Sequence, residues 1–192
     1  MKRNMVLFFA FVLFFFVFSC NNEPPEEDNS IYLEQGKAIA GATFAVLSQA
    51  LQTAMEEGGV PQAINYCQLS AFPLVDSLSK VKQAKIRRTS LKVRNPKDSP
   101  TMAEQTVLEQ YQKQFEEGKE LKPQVQSLDD NRVAFYAPIK VNSFCLQCHG
   151  VEGETLKEED YIAIKASYPE DKAIGYVDGD LRGMWSIEFK VD

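Results

Sequence analysis

The residues with the clearest chemical capacity are Cys145, Cys148 and His149, within the run Cys-Leu-Gln-Cys-His. This C-x-x-C-H spacing is typical of the attachment site of a c-type haem. The two thiols would form thioether bonds to the haem vinyl groups, and His149 would bind the iron as the proximal axial ligand. The motif therefore predicts one covalently attached haem c.

Two other interpretations of the motif stay open on pattern alone, a redox disulfide and half of a zinc site. A redox disulfide needs no adjacent histidine. A zinc site needs further cysteine or histidine ligands nearby, and His149 is the only histidine among the 192 residues. The complete motif therefore favours haem attachment over both alternatives.

The N-terminus indicates export from the cytoplasm. A short basic start precedes an almost purely apolar run at 5–18, and Cys20 follows closely. This arrangement is typical of a secretory signal, and the run is shorter than the roughly 20 residues that span a bilayer. Its end resembles a bacterial lipobox, so we expect a signal peptide at 1–19 and lipid on Cys20, with an uncleaved membrane anchor as the alternative. The rest of the chain would then lie in the bacterial cell envelope, lipid-anchored to the inner or the outer membrane.

Composition divides the remaining chain into two parts. Residues 20–30 are polar and acidic and contain two prolines, which predicts a solvated tether. Residues 31–192 are one domain's worth of chain, and we expect them to form the haem-binding domain. The net charge of −6 gives no indication of nucleic-acid binding, which favours basic surfaces.

The first half of the domain has a helical pattern. Apolar residues at three- and four-residue steps predict a helix over 31–57, ended by Gly58 and Gly59. Pro61 fits the first turn of a second helix that reaches about residue 78, and Pro73 should bend or interrupt it. A candidate capping box begins a third helix over 101–117.

The second half predicts a sheet. Residues 133–141 and 185–191 alternate between apolar and more polar side chains, and residues 85–94 form a further candidate strand. We expect these strands to lie in one mostly antiparallel sheet with one face buried. A short helix over 156–167 follows the C-x-x-C-H motif. The predicted fold class is therefore α+β, with a long N-terminal helix and further flanking helices.

The second axial ligand of the iron has four candidates, because no second histidine exists. Met184 is the best methionine, since it lies opposite the face that carries Trp185, whereas Met55 fits a helix core stripe and Met102 falls in a helix first turn. Cys67 points inward on its predicted helix. Its thiolate would be a strong anionic ligand that lowers the potential, but a buried thiol can also be inert.

A family resemblance bears on this choice. Residues 63–71, 88–96 and 175–183, together with the C-x-x-C-H motif, resemble the Tll-type family first described in cyanobacteria. Its members are c-type haem proteins with a PAS-like fold, related to the haem-binding sensor domains of histidine kinases. The resemblance covers essentially all of the mature domain. It implies a PAS-like antiparallel sheet and an unusual axial pair, His149 and Cys67.

Arginines and aromatic residues supply further candidates for contact with haem. Arg87, Arg88 and Arg94 form a basic cluster in an acidic protein, and Arg88 and Arg94 are candidate partners of the haem propionates, because arginine matches carboxylates bidentately. Ordinary surface charge is the alternative. Aromatic residues such as Tyr66 could pack on the porphyrin, although aromatics in predicted elements are more often core residues.

Two functional classes follow from this combination. The first is a membrane-anchored monohaem cytochrome that acts in low-potential electron transfer or redox response. The second is a haem-based redox or gas sensor module that acts through a partner protein, since no output domain is recognised in the sequence. Two strong axial ligands leave no open position for a substrate, and no separate catalytic constellation is present, so we do not expect an enzyme.

Overall fold

The computed structural model describes residues 29–129 and 131–191 of the chain. The expected signal peptide at 1–19, the lipid-bearing Cys20 and most of the expected tether at 20–30 lie outside the described residues. The described chain enters its first helix at Ser30, next to the expected start of the domain.

Within the described residues the chain forms five α-helices and four β-strands, in an order that places two helices before the first strand. They are α1 (Ser30–Leu69), α2 (Ala71–Lys82), β1 (Lys85–Thr89), α3 (Met102–Glu116), β2 (Gln124–Leu128), β3 (Arg132–Lys140), α4 (Ser143–His149), α5 (Glu158–Ser167) and β4 (Leu181–Lys190), with one 3-10 turn at Pro96–Asp98.

The four strands form one antiparallel sheet in the order β1-β4-β3-β2. The last strand of the sequence thus lies in the middle, where it pairs with β1 on one side and β3 on the other. At Gly183 the backbones of β4 and β1 approach so closely that an added Cβ would lie 2.3 Å from the Thr89 carbonyl oxygen. The expected α+β class is confirmed, with an antiparallel sheet, a long N-terminal helix and further flanking helices.

Both faces of this sheet are buried, so the prediction of one buried face was wrong. On one face, Phe135 and Trp185 pack against α1 and α2. On the other face, Tyr136 and Met184 pack against α3, with Leu108 among their neighbours. Both faces of β3 and β4 thus carry buried residues, and the amphipathic helix α3 covers the second face.

The glycine pair at 58 and 59 interrupts α1 as expected. The backbone angles of both residues are non-helical, and Gly59 has a φ of 64°, in the left-handed region that favours glycine. Pro61 follows in the first turn of the continuing helix, where its missing N–H needs no partner. A second break occurs at Ser70, three residues before Pro73, so the expected interruption by Pro73 lies at the start of α2.

The two edge strands differ most from expectation. The candidate strand over 85–94 ends at Thr89, and the residues after it form a loop. β2 was not predicted, because its sequence Gln-Val-Gln-Ser-Leu has few apolar residues and only part of it is buried. An edge strand needs only one paired side and tolerates such polar sequences.

The contact between α1 and β3 predicts a steric limit at Gly36. A Cβ at this position would lie 2.1 Å from Phe135 Cγ, and Phe135 is fully buried. Gly36→Ala should therefore lower the free energy of unfolding by about 1–3 kcal/mol through overpacking. Urea unfolding followed by circular dichroism measures this change.

Gly41 is the matched control on the same helix, because an added Cβ there meets nothing within 4 Å. Gly41→Ala should leave stability unchanged or raise it by roughly 0.5–1 kcal/mol through helix propensity. Equal effects of the two substitutions would contradict the close approach of α1 to the sheet.

Candidate functional site

The C-x-x-C-H run forms α4, a helix of seven residues that begins shortly after β3. The side-chain oxygen of Asn142 caps it and accepts a hydrogen bond from the backbone N–H of Cys145 at 3.2 Å. Residues three apart lie on the same side of a helix, so Cys145 and Cys148 present their free, partly buried thiols together. This spacing allows both thiols to react with one ligand.

The imidazole of His149 has a defined proton position. Its Nδ1 lies 2.6 Å from the carbonyl oxygen of Ala173. A carbonyl only accepts hydrogen bonds, so Nδ1 carries the proton and Nε2 keeps its lone pair. Burial lowers the pKa of His149 well below its usual value, and the charges of Arg182 and Arg94 lower it further. The neutral imidazole that results is the form that binds a metal ion.

A buried ion pair holds the carbonyl that orients His149. Arg94 donates from Nε and Nη2 to Asp171 Oδ2 at 3.1 and 3.0 Å, and its Nη2 also donates to the carbonyls of Cys148 and Ala173. The other carboxylate oxygen of Asp171 accepts from the Ala173 N–H at 2.8 Å. The pair therefore ties the end of α4 and the residue that contacts His149 into one network.

Backbone hydrogen bonds extend this network along the chain. The N–H groups of Gly175 and Tyr176 donate to the carbonyls of Gly150 and His149 at 2.8 and 3.0 Å. The ring of Tyr176 meets the imidazole of His149 edge-on, with 6.3 Å between the ring centroids. Gly150 is required where α4 ends, because an added Cβ would lie 2.0 Å from Thr155 Oγ1.

The Arg-Thr-Ser segment at the end of β1 organises the neighbouring loops. Thr89 donates from its hydroxyl to the Asp98 carbonyl at 2.8 Å. Ser90 donates from its hydroxyl to the Arg182 carbonyl at 2.6 Å. These two bonds fix the loop after β1 and the start of β4, and through them the arginines of both elements lie beside His149.

Cys67 lies two residues before the end of α1 and close to the same arginines. Burial raises the pKa of its thiol, while the positive charges of Arg88 and then Arg94 oppose this shift. Burial also raises the pKa of Cys148 to about 11, and a charge on Cys67 contributes in the same direction. The structure therefore brings Cys67 into the electrostatic neighbourhood of the C-x-x-C-H motif.

A hydrophobic cluster explains this proximity. The second segment of α1 packs through Val60 and Ile64 against Leu156 and Ile164, and Cys148 packs against the same cluster. The side-chain amide of Gln68 donates to the carbonyl of Ser167 at 3.1 Å, which joins the ends of α1 and α5. Residues on both sides of Cys67 thus hold it near α4.

The two arginines proposed from the sequence have different surroundings. The guanidinium of Arg94 is largely buried, at 13% exposure, and Asp171 and two carbonyls occupy its donors. Arg88 is exposed on β1 and lies over the ring of Trp185, with 5.9 Å between its Cζ and the ring centroid. Arg94 is thus placed to hold the protein chain, and Arg88 is placed to meet a ligand.

The methionines lie in other surroundings. Met184 is fully buried in the cluster formed with α3. Met102 is 89% exposed at the first residue of α3, and Met55 packs beside Val60 in the cluster under α5. Met184, the best methionine candidate from the sequence, thus fills the core on the α3 face.

Sequence reasoning gave no role to Asp171, Ala173 or Arg182. Asp171 and Ala173 lie in an ordinary loop, and only the fold shows that they face Arg94, which lies 77 residues before Asp171. Arg182 lies within the segment 175–183 that carried part of the family resemblance, which was the one available signal. Its charge has the largest electrostatic effect on His149.

Removing one member of the buried ion pair should be costly. Asp171 is completely buried as a side chain, so Asp171→Asn would leave Arg94 as an uncompensated charge and lower the free energy of unfolding by about 3–5 kcal/mol. Lys37→Ala breaks the exposed pair with Glu34, 2.9 Å apart, and should cost less than about 1 kcal/mol. Urea unfolding of both variants compares the two pairs, and similar losses would contradict the role of Asp171.

Comparison with known proteins places the chain in a family. The family model described as Tll0287-like matches residues 24–189. A solved structure, that of the cyanobacterial heme-protein Tll0287, has a TM-score of 0.56 with this chain at 24% sequence identity, and the match covers 82% of this chain and 94% of that chain. No curated protein matches. Because the family match spans almost all of the sequence, the chain belongs to the Tll0287-like family.

Proposed function

We propose that this protein is an exported, membrane-anchored monohaem c-type cytochrome that acts in low-potential electron transfer or redox response. The observation that carries the proposal is the state of His149, whose Nδ1 proton is directed to Ala173 while Nε2 keeps its lone pair beside two thiols. This donor set fits a c-type haem. The description of the related cyanobacterial structure as a heme-protein also supports it.

Each residue of the site would have a separate task. Cys145 and Cys148 would hold the cofactor through thioether bonds, which fixes its position relative to α4. His149 would hold the iron through Nε2, and Cys67 would be its second protein ligand, as a thiolate. When bound, a haem with this ligation supplies reversible one-electron exchange at low potential.

The same ligation argues for a carrier and against an enzyme. With His149 and Cys67 both bound, the iron would have no open position for a substrate. Burial raises the pKa of the Cys67 thiol, and the charges of Arg88 and then Arg94 offset part of that shift, so binding to the iron would have to supply the remaining stabilisation of the thiolate. We therefore propose no catalytic role and an as yet unidentified protein as the redox partner.

One feature of the fold favours a second candidate function, a redox or gas sensor module that acts through a partner protein. Cys67 lies near the end of α1, just before the break between α1 and α2 at Ser70. A ligand at the end of a helix can move with less rearrangement than one in its middle. Displacement of Cys67 would open a position for a small ligand.

The proposed location rests on the N-terminal residues outside the described part of the chain. The basic start, the apolar run at 5–18 and Cys20 support export and lipid attachment. A tether over 20–30 would let the domain reach about 30 Å from the membrane when extended. The domain would then meet partners in the cell envelope.

Absorption spectra of the haem-loaded protein test the axial ligands. We expect Cys67→Ala to remove a thiolate signature from the ferric spectrum, because no other side chain would supply a sulfur anion at that position. Met184→Leu is the control and should leave both the ferric and the ferrous spectra unchanged, since Met184 packs in the core beside α3.

An unchanged ferric spectrum in Cys67→Ala would exclude Cys67 as a ligand and favour a methionine-ligated carrier. Loss of the thiolate signature from the unmodified protein on reduction would favour the sensor over the carrier. Absence of a haem band in the unmodified protein after denaturing electrophoresis and haem staining would contradict covalent attachment.

A further inference from the structure

The hydroxyl group of Tyr66 is buried and has no hydrogen-bond partner among the described residues. Leaving such a group unsatisfied costs about 1–3 kcal/mol, so buried hydroxyls normally have an acceptor or donor within reach. Tyr66 immediately precedes Cys67. The hydroxyl is therefore available to a group that is not part of the described chain.

Arg88 is a second polar group without a protein acceptor in the described part of the chain. Its guanidinium lies over the ring of Trp185, which it faces across the β1–β4 pair. Beside it is a groove of about 940 Å³, whose apolar wall includes Ala71 and Val75. The guanidinium donors of Arg88 thus border open space.

The neighbouring arginines have acceptors already. Arg87 pairs with Glu104 at 3.2 Å and donates to the Ser99 carbonyl at 2.8 Å. Arg94 is bound by Asp171. Arg182 donates to the Lys92 carbonyl at 3.1 Å. Among the four arginines around the site, Arg88 is the one without a hydrogen bond or ion pair to the described residues, although its charge acts on the nearby Asp98 carboxyl and lowers a pKa that burial raises.

Tyr66 and Arg88 lie close to each other. Tyr66 packs against the core cluster that contains Trp185, the residue beneath the Arg88 guanidinium. The electrostatics agree with this packing: burial and then Cys67 raise the pKa of Tyr66, and the charge of Arg88 lowers it. Both polar groups thus lie around the same part of the core, next to Cys67 and Trp185.

We propose that the Tyr66 hydroxyl and the Arg88 guanidinium form a carboxylate-binding site that takes one propionate of the haem. This inference rests on the proposed function. Both groups offer hydrogen-bond donors, which select an anion, and the planar fork of arginine matches the two oxygens of a carboxylate. Trp185 orients the guanidinium by a cation–π contact. Arg94, which the sequence suggested for a propionate, has the structural task instead.

The pH dependence of the midpoint potential tests this site on the haem-loaded protein. A propionate bound by these two groups stays ionised down to acidic pH. In a plot of midpoint potential against pH, its protonation should therefore appear as a change of slope, or bend, at acidic pH. Arg88→Gln should move this bend upward by roughly one pH unit, a tenfold change in proton affinity, because an opposite charge is lost. Tyr66→Phe, which keeps the ring, should move it upward by less, and Arg88→Lys should fall between Arg88→Gln and the unmodified protein.

Two variants control for charge and for the loss of a hydroxyl. Lys85→Gln removes a positive charge from the same strand, where Lys85 pairs with Glu188. Tyr32→Phe removes a hydroxyl from the far end of α1, where the ring meets Phe189 at 5.4 Å. Neither should move the bend. Redox-difference infrared spectra should show a shifted carboxyl band in Tyr66→Phe and Arg88→Gln and not in the controls.

The outcomes separate the site from the proposed function. If the unmodified protein carries stained haem but the bend and the carboxyl band are the same in Tyr66→Phe, Arg88→Gln and the controls, the carboxylate site is wrong and the cytochrome proposal stands. If acetate added to the unmodified protein shifts the potential, and Arg88→Gln abolishes that response, a dissolved carboxylate fills the site and the propionate assignment is overturned. If the unmodified protein carries no haem, both proposals fail.

Discussion

The buried ion pair of Arg94 and Asp171 is the interaction on which the candidate site depends. An isolated buried pair is a weak source of stability, because the desolvation of both charges offsets their attraction. This pair uses its remaining polar atoms: Arg94 donates to the carbonyls of Cys148 and Ala173, and Asp171 accepts from the Ala173 N–H. A displacement of either charge would therefore move the end of α4 and the acceptor of the His149 proton. The orientation of a single imidazole is fixed by residues that do not touch it.

The small and polar residues at the end of β1 and the start of β4 also have a structural role in the site. Thr89 and Ser90 hold two loops through their hydroxyls, and Gly183 lets the two strands approach. None of these residues offers chemistry to a ligand. Their effect is to bring Arg88 and Arg182, which are more than 90 residues apart in the sequence, to the neighbourhood of His149. The charge pattern around the site is thus a consequence of strand pairing, since β1 and β4 are neighbours in the sheet.

Sequence patterns predicted the features that depend on neighbouring residues, such as helix caps and breaks. Features that depend on contacts between distant residues could be seen only in the fold. The capping box at Thr101 and Glu104 forms as expected, and the glycine pair breaks α1, because both depend on residues close in the sequence. β2 was missed because an edge strand needs little apolar character. Asp171 was missed because its importance comes only from Arg94, far away in the chain. The same reason limited the interpretation of Arg94: sequence identifies a cation, but only tertiary contacts show whether its donors are already occupied.

The two segments of α1 pack on different parts of the protein. This packing determines what would move if Cys67 changed its contact with the iron. The segment before Gly58 packs through Ile39 and Leu47 on the sheet. The segment after Gly59 packs on the cluster under α5 that Cys148 also contacts, and through Tyr66 it also reaches the sheet. Two non-helical residues separate the segments, but Tyr66 ties the second segment to the sheet, so a shift at Cys67 would act on both clusters. The short segment would move with α5 and the C-x-x-C-H motif. Under the sensor proposal, a change in ligation at Cys67 would therefore reach both α5 and the sheet, because residues on either side of this thiol pack on each of them.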